Sequence, residues 1–406
     1  MSSITKRTAR ESAIIGDQEI SRLLESIQNK VQNKKPINLV CYIYDNNCAL
    51  HEQMDTTDGT RKIPHQESKD RVQKINGATH HTGLNALMVS AGSVSLQRSD
   101  ILKIHDKDYV KEVEHYCRLN APHTFKNLDE QLDLSIKGFG SLSSIYAAVA
   151  SVMGAVQLTC TKCAIGTTDI EKKYRTQQKT PPIFRSKYPR RVFCNVRPPG
   201  HHANSQHGAG FCFLNNVAIA ARYALDKYDH INRVLIIDWD LHHGDGTQEI
   251  FAESDNADQN VMYVSLHRGP DFYPYSGTLE DNEKYSNVLN NPIGHQATIE
   301  EYLERFNDVV LPAAYEFNPD LIFISAGFDS HRDDLFAELP LDYEDYSYMT
   351  RKVIDLAETC SDGRIISVLE GGYTISVLIR SVMAHLGTMI DHDGAVLVED
   401  LVDKDQ

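Results

Sequence analysis

The densest chemistry in the chain is Asp238-Trp239-Asp240-Leu241-His242-His243-Gly244-Asp245, which follows directly on Arg233-Val234-Leu235-Ile236-Ile237. Three carboxylates and two imidazoles are thus loaded onto the end of a strand-like run. A short β-branched run of this kind reads as a strand buried on both faces of a parallel sheet. Side chains alternate along a strand, so Asp238, Asp240 and His242 share one face at the carboxyl edge, where α/β proteins bind ligands. Carboxylate oxygen and imidazole nitrogen suit zinc, and a catalytic zinc takes three protein ligands with one position open for water. Asp329, closing the run from Leu321 beside Gly327, is the best third ligand, although an aspartate after a strand is also a common helix N-cap.

His201-His202 follows Pro198-Pro199-Gly200. Imidazole titrates near working pH, so the two rings fit a general-base pair that moves a proton from water to a leaving amine. The competing reading makes them additional metal ligands. Asp238 and Asp245 are spare carboxylates able to orient the two rings, as a buried carboxylate does in acid-base triads. Tyr373 follows Gly371-Gly372, where backbone can approach a ligand closely, and its phenol suits donation to an oxyanion. Phe211, after Gly210, and Phe272-Tyr273 are flat rings able to wall a narrow tunnel around a methylene chain. His243 falls on the face opposite His242. Cys160-Thr-Lys-Cys163 reads as structural and His80-His81 as a polar loop.

Positioning these groups takes a sheet. Strand-like runs at Leu39 to Tyr44, Val192 to Val196, Val234 to Asp240, Val261 to His267, Leu321 to Asp329 and Ile365 to Leu369 alternate with helical spacing, as at Asn215 to Leu225 and Ile299 to Ala314. That alternation is the signature of an α/β fold: one domain with a central, mostly parallel β-sheet flanked by helices. Residues 1–35 form an extension in which Asp17 caps an amphipathic helix carrying Ile20, Leu23, Leu24, Ile27 and Val31. The domain covers 36–395, with surface insertions near 53–70 and 167–191, the latter basic and proline-containing, and a tail at 396–406.

Of the 406 residues, 41% are hydrophobic, and we read no run as long enough to span a bilayer. No apolar leader follows Met1, and the eight cysteines are scattered, which points to an intracellular protein with buried thiols, in nucleus or cytoplasm. A formal charge of −15 argues against direct nucleic-acid binding; it suits cationic substrates such as lysine-rich tails, although on charge alone solubility is the commoner reason for such acidity.

Taken together, Arg197-Pro-Pro-Gly-His-His-Ala203, Gly210-Phe-Cys-Phe-Leu-Asn215, Asp238 to Thr247, Ser265-Leu-His-Arg268, Ser325-Ala-Gly-Phe-Asp-Ser330 and Glu370-Gly-Gly-Tyr373 resemble the zinc-dependent histone deacetylase family. The resemblance runs from about residue 38 to 390 and looks like the class II branch. It implies the arginase/deacetylase fold and hydrolysis of acetyl-lysine in protein tails to lysine and acetate, by a chromatin regulator within a corepressor-type complex. Carried over by motif, it makes Asp240, His242 and Asp329 the zinc ligands, His202 the general base and acid, and His201 its electrostatic partner. Asp238 and Asp245 then orient the histidines and Tyr373 polarises the carbonyl, while Gly210, Phe211, Phe272, Tyr273 and Gly371 form the substrate tunnel. It also implies structural potassium ions, one at Asp238, Ser265 and Leu266 with the carbonyls of Asp240 and His242, and a second at Phe251 and Tyr285. Asp245 departs from the class II pattern, Tyr273 replaces a common phenylalanine, and no position within Asn120 to Asp133 aligns with the family's substrate-gripping acid. The rival readings are an acetylpolyamine amidohydrolase, a longer-chain lysine deacylase, and an acyl-lysine-binding scaffold without catalysis.

Overall fold

The computed structural model describes residues 9–54, 56–57, 62–119, 122–125, 134–136, 140–161, 182–336 and 338–391. Cys163, most of the basic stretch 167–191, most of 120–133 and the tail 396–406 lie outside them.

Eight strands form the central sheet, numbered here in chain order: β1 Val40–Ile43, β2 Val89–Ala91, β3 Arg191–Cys194, β4 Val234–Asp238, β5 Val261–Arg268, β6 Val288–Ile293, β7 Leu321–Ala326 and β8 Ile365–Leu369. Their order is β6-β5-β4-β7-β8-β3-β1-β2, and every pairing is parallel. The six runs read from the sequence are all present. The two additional strands, β2 and β6, are the edges.

Alternate residues of each strand feed two separate cores. Val40, Tyr42, Leu235 and Ile237 belong to one, and Cys41, Ile43, Val234 and Ile236 to the other. Sandwiching the sheet this way removes both faces from water, which is why its strands are continuous apolar runs. The first core takes in helices α1 (Ala9–Gln32), α2 (Lys69–His81), α7 (Tyr343–Cys360) and α8 (Ile375–Ile390). The second takes in α3 (Lys107–Arg118), α4 (Ser141–Cys160) and α5 (Asn216–Lys227). Between β6 and β7 a helical stretch, α6, runs through Ile299–Arg305, a π-type turn and Leu311–Phe317.

Several expectations are corrected. Helix α1 already begins at Ala9, so Asp17 lies inside it and does not cap it. Its buried Leu23 and Ile27 pack on the body, Leu23 against Gly387 of α8, and Lys30 reaches Asp391 at 2.5 Å. Helix α4, 20 residues long, is long and apolar enough to cross a membrane by length and composition. It is nevertheless buried nearly all round, as a central core helix is. His80 and His81 sit in the last turn of α2 and not in a loop. The ends of both presumed insertions are integral: Gln53 and Glu67 are buried, and Arg191 lies inside β3 with its guanidinium on Met389 O and Glu358. The described cysteines are all free thiols.

Candidate active site

In sheet order β4, β7, β8 and β3 are consecutive, so the loops after them meet over the middle of the carboxyl edge. Strand β4 ends at Asp238, earlier than expected, yet the two-residue alternation carries on: Trp239 and Leu241 enter the core while Asp238, Asp240 and His242 do not. Likewise β7 ends at Ala326, and Asp329 stands three residues beyond it.

Ligand atoms of Asp240, His242 and Asp329 all lie within 4.8 Å of one another, and all three residues are buried. His242 Nδ1 stands 3.0 Å from Asp240 Oδ1 and 3.3 Å from Asp329 Oδ2. The backbone fixes the carboxylates: Leu241 N–H donates to Asp329 Oδ1 at 3.0 Å, and Gly371 N–H donates to Asp240 Oδ2 at 2.8 Å. Glycine is required at two neighbouring positions. A Cβ at Gly327 would fall 2.0 Å from Asp240 Oδ2, and one at Gly371 would fall 2.2 Å from Asp329 Oδ2. Asp329 Oδ2 is buried with no hydrogen-bond partner among the described residues.

Two buried carboxylates this close repel, and proton affinities record it. Burial and then Asp240 raise Asp329, while His242, despite burial, is pushed up to about 9 by the neighbouring Asp240 and Asp329 carboxylates. A cation between them relieves both the repulsion and the orphaned oxygen. The donor set, two carboxylates and one imidazole, fits zinc.

Above this cluster His201 Nδ1 meets Asp238 Oδ2 at 3.1 Å and His202 Nδ1 meets Asp245 Oδ1 at 2.6 Å. Asp238 is further held by the Tyr263 hydroxyl and by Asp240 N–H. Asp238 therefore serves His201, one step from the Asp240, His242 and Asp329 cluster. The two rings are pushed apart in basicity. Burial opposes charge on His201, but Asp240 and Asp238 raise it well above the ordinary range; burial and the neighbouring His201 lower His202. His202 is thus the neutral ring able to accept a proton.

A cavity of about 300 Å³ opens onto the cluster, lined by His202, Gly210, Phe211, His242, Asp271, Phe272, Tyr273, Tyr275, Phe336 and Tyr373. Phe272 stacks on the His242 ring at 5.5 Å and Phe336 meets it edge-on at 5.4 Å. Tyr373 packs edge-on to both Phe211 and Phe336. Burial, then Asp329, raise its phenol well above its ordinary value, so it stays a donor. Its loop is anchored from below. Arg71, wholly buried, donates to the carbonyls of Gly372 (2.7 Å) and Glu370 and lies over the Tyr373 ring at 5.0 Å. Glu67 accepts from Arg71 at 3.3 Å and from Arg197 at 2.6 Å, joining that loop to the segment that leads into His201.

A sequence model of the histone deacetylase domain matches residues 65–389. The chain belongs to the histone deacetylase family. It is 30% identical over 364 residues to histone deacetylase 5 of Arabidopsis thaliana, an alignment covering 86% of this chain and 48% of that protein. Against histone deacetylase 6 of Caenorhabditis elegans it is 46% identical over 201 residues, 47% of this chain and 20% of that protein. The chain thus spans a fifth to a half of these relatives' lengths. Among solved structures it resembles the HDA15 HD domain, with a TM-score of 0.69 and 26% identity, covering 90% of this chain and 92% of that one. An acetylpolyamine aminohydrolase from Burkholderia pseudomallei shares the fold at a TM-score of 0.69 and 22% identity, covering 87% and 98%. The architecture is the arginase/deacetylase fold, as expected.

Within this deacetylase domain, one expectation about placement changes. Gly371 does not line the tunnel; it lies against Asp240 and Asp329. At the second implied potassium position, the carbonyls of Phe251, Asp258 and Val261 converge on the Asn287 amide, and the Tyr285 carbonyl accepts Val288 N–H. At the first, Asp238 and Ser265 are register partners on β4 and β5, Leu266 is buried beside them, and the Ser265 hydroxyl contacts His267. His243 turns away from the cluster to Ser276 and Gln248. Sequence reasoning missed Phe336, Asp271 and Tyr275 because they sit on loops without periodicity. It missed Arg71 and Glu67 because charged residues in a polar stretch carry no mark of burial.

Proposed function

We propose that the chain is a zinc-dependent lysine deacetylase that hydrolyses acetyl-lysine in protein tails to lysine and acetate. The observation that carries this reading is the convergence of Asp240, His242 and Asp329 at the foot of an aromatic-walled cavity that also presents a neutral His202 and the Tyr373 phenol. Asp240, His242 and Asp329 would hold zinc, which when bound supplies a Lewis acid for the acyl carbonyl and lowers the pKa of a water.

The chain's own residues then divide the work. His202, with Nδ1 fixed on Asp245, takes a proton at Nε2 and returns it to the leaving lysine amine. His201, cationic on Asp238, keeps His202 from holding a proton too tightly. Tyr373 donates to the oxygen that becomes negative as the carbonyl is attacked. Phe211, Phe272, Tyr273 and Phe336 exclude water and accept an apolar methylene chain.

The lining also disfavours acetylpolyamines. Asp271 is the single carboxylate among the described lining residues, and Arg268 already holds it through two bonds at 2.7 and 3.1 Å. A second ammonium along the ligand would have to share Asp271 with Arg268. The test is a panel of acetyl-lysine peptide, longer acyl-lysine peptides and acetylspermidine, with a chelator control. Acetate release from the acetyl-lysine peptide, abolished by chelation, is expected. Preference for acetylspermidine or a longer acyl chain, or tight peptide binding with no hydrolysis by the metal-loaded chain, would overturn the assignment.

A further inference from the structure

Glu370 has a place in none of these roles, yet its side chain is wholly buried at the centre of the site. Its Oε2 accepts the backbone N–H of Gly200 at 2.7 Å and that of His201 at 3.3 Å. Its Oε1 has no hydrogen-bond partner among the described residues. Two successive N–H groups aimed at one oxygen make a small nest. A carboxyl withdrawn from water for two such bonds is expensive to keep.

Its backbone is pinned on the other side. Glu370 N–H donates to Ala326 O at 3.1 Å, its carbonyl receives Arg71, and the next N–H holds Asp240. Pairing of β8 with β3 ends at Val368 and Cys194, after which the two segments part into separate loops. One loop carries Tyr373 and the other His201 and His202. Glu370 spans the gap.

We propose that Glu370 is a positioning residue for acyl-lysine hydrolysis, a clamp that fixes the His201-His202 turn relative to the loop carrying Tyr373. This rests on the catalytic reading given above. What the clamp requires is an acceptor atom at one point in space, not a charge. Burial pushes the Glu370 carboxyl up to about 7.

The test separates position from charge. Glu370→Gln keeps an acceptor oxygen at the same reach without charge. Glu370→Asp keeps the charge but draws its oxygens back by a methylene, and Glu370→Ala removes both. Kinetics on an acetyl-lysine peptide and amide hydrogen exchange over residues 198–204 are measured on the same full-length, metal-loaded proteins.

Glu370→Asp and Glu370→Ala are expected to lower kcat on the order of tenfold to a hundredfold while KM changes by less than about twofold. Both should speed exchange of that segment by about tenfold or more. Glu370→Gln should restore rate and protection to near wild type. The reverse order, with Glu370→Asp close to wild type and Glu370→Gln impaired, overturns the proposal, as does unchanged exchange in every variant. If wild type hydrolyses no acyl-lysine, the deacetylase reading falls by itself, and the exchange data still decide whether the clamp exists.

Discussion

Replacing Gly327 by alanine tests the packing of the metal cluster more severely than removing a ligand would, because it leaves every donor in place. The added Cβ would lie 2.0 Å from Asp240 Oδ2, 2.4 Å from its Cγ and 2.6 Å from its Cα. An ordinary carbon–oxygen contact is roughly 3.3 Å or more, so about 1 Å must be found. Rotating the Asp240 side chain does not free it, since the Cα is also in the way, and Gly371 N–H holds the same oxygen at 2.8 Å. Backbone has to move. Metal sites tolerate ligand displacements of about 0.2 Å, so a shift several times larger breaks the set. Zinc affinity is therefore expected to fall by about a hundredfold or more, with about 1–3 kcal/mol lost from folding stability. Chelator competition and denaturant unfolding measure the two effects. Gly294→Ala, whose added Cβ meets nothing within 4 Å, is the matched control and should bind zinc like wild type. Wild-type zinc affinity in Gly327→Ala would refute the reasoning.

Three further outcomes follow from the same geometry. Tyr373→Phe removes the oxyanion donor and should lower kcat on the order of a hundredfold with zinc content unchanged; an undiminished rate would remove Tyr373 from the mechanism. Asp245→Asn removes the carboxylate that raises His202, so the ring should stay neutral to lower pH. The acid limb of kcat/KM should then move down in pH while the maximum falls, and a limb that moved up would contradict the assignment of His202 as base. Asp345, in the first turn of α7, accepts Asp342 N–H at 2.7 Å, and its carboxyl is pushed up to about 7, burial being the main cause. Its folded-state pKa exceeds the unfolded value, so this group's stabilising share is whole at low pH and lost as pH rises through about 7. Asp345→Asn should exceed wild type in stability at pH ~8 by up to roughly 3–4 kcal/mol, with the gain vanishing toward pH ~4; unfolding curves offset by the same amount at every pH would refute this.

The interior of the sheet and the composition of the site were legible because both leave local marks. Val234 to Ile237 and Leu321 to Ala326 are continuous apolar runs, and such runs mean burial on both faces. The proposed ligands stand directly after those runs, so Asp240, His242 and Asp329 could be singled out without coordinates. Edge strands leave weaker marks. Val288-Leu-Asn-Asn-Pro-Ile293 carries a proline and two asparagines, tolerable at an edge and contrary to a central strand, and Val89-Ser-Ala91 is too short to register. The limits of period-2 reasoning show at Asp238: it shares the alternation with Asp240 yet meets His201, because the chain leaves strand geometry in between. Supports such as the Arg71–Glu67–Arg197 bridge depend on residues far apart in sequence meeting in the core, and no local pattern encodes that. Asp17 misled for a simpler reason: a good capping residue is also tolerated inside a helix that starts earlier.

The most direct test of the central claim is zinc stoichiometry and acetate release measured together on wild type and on Asp240→Ala, His242→Ala and Asp329→Ala. One zinc per wild-type chain is expected, with both the metal and acetyl-lysine hydrolysis lost in each variant. Stoichiometric zinc retained by all three variants, or full acetate release from the metal-stripped wild-type chain, would contradict it.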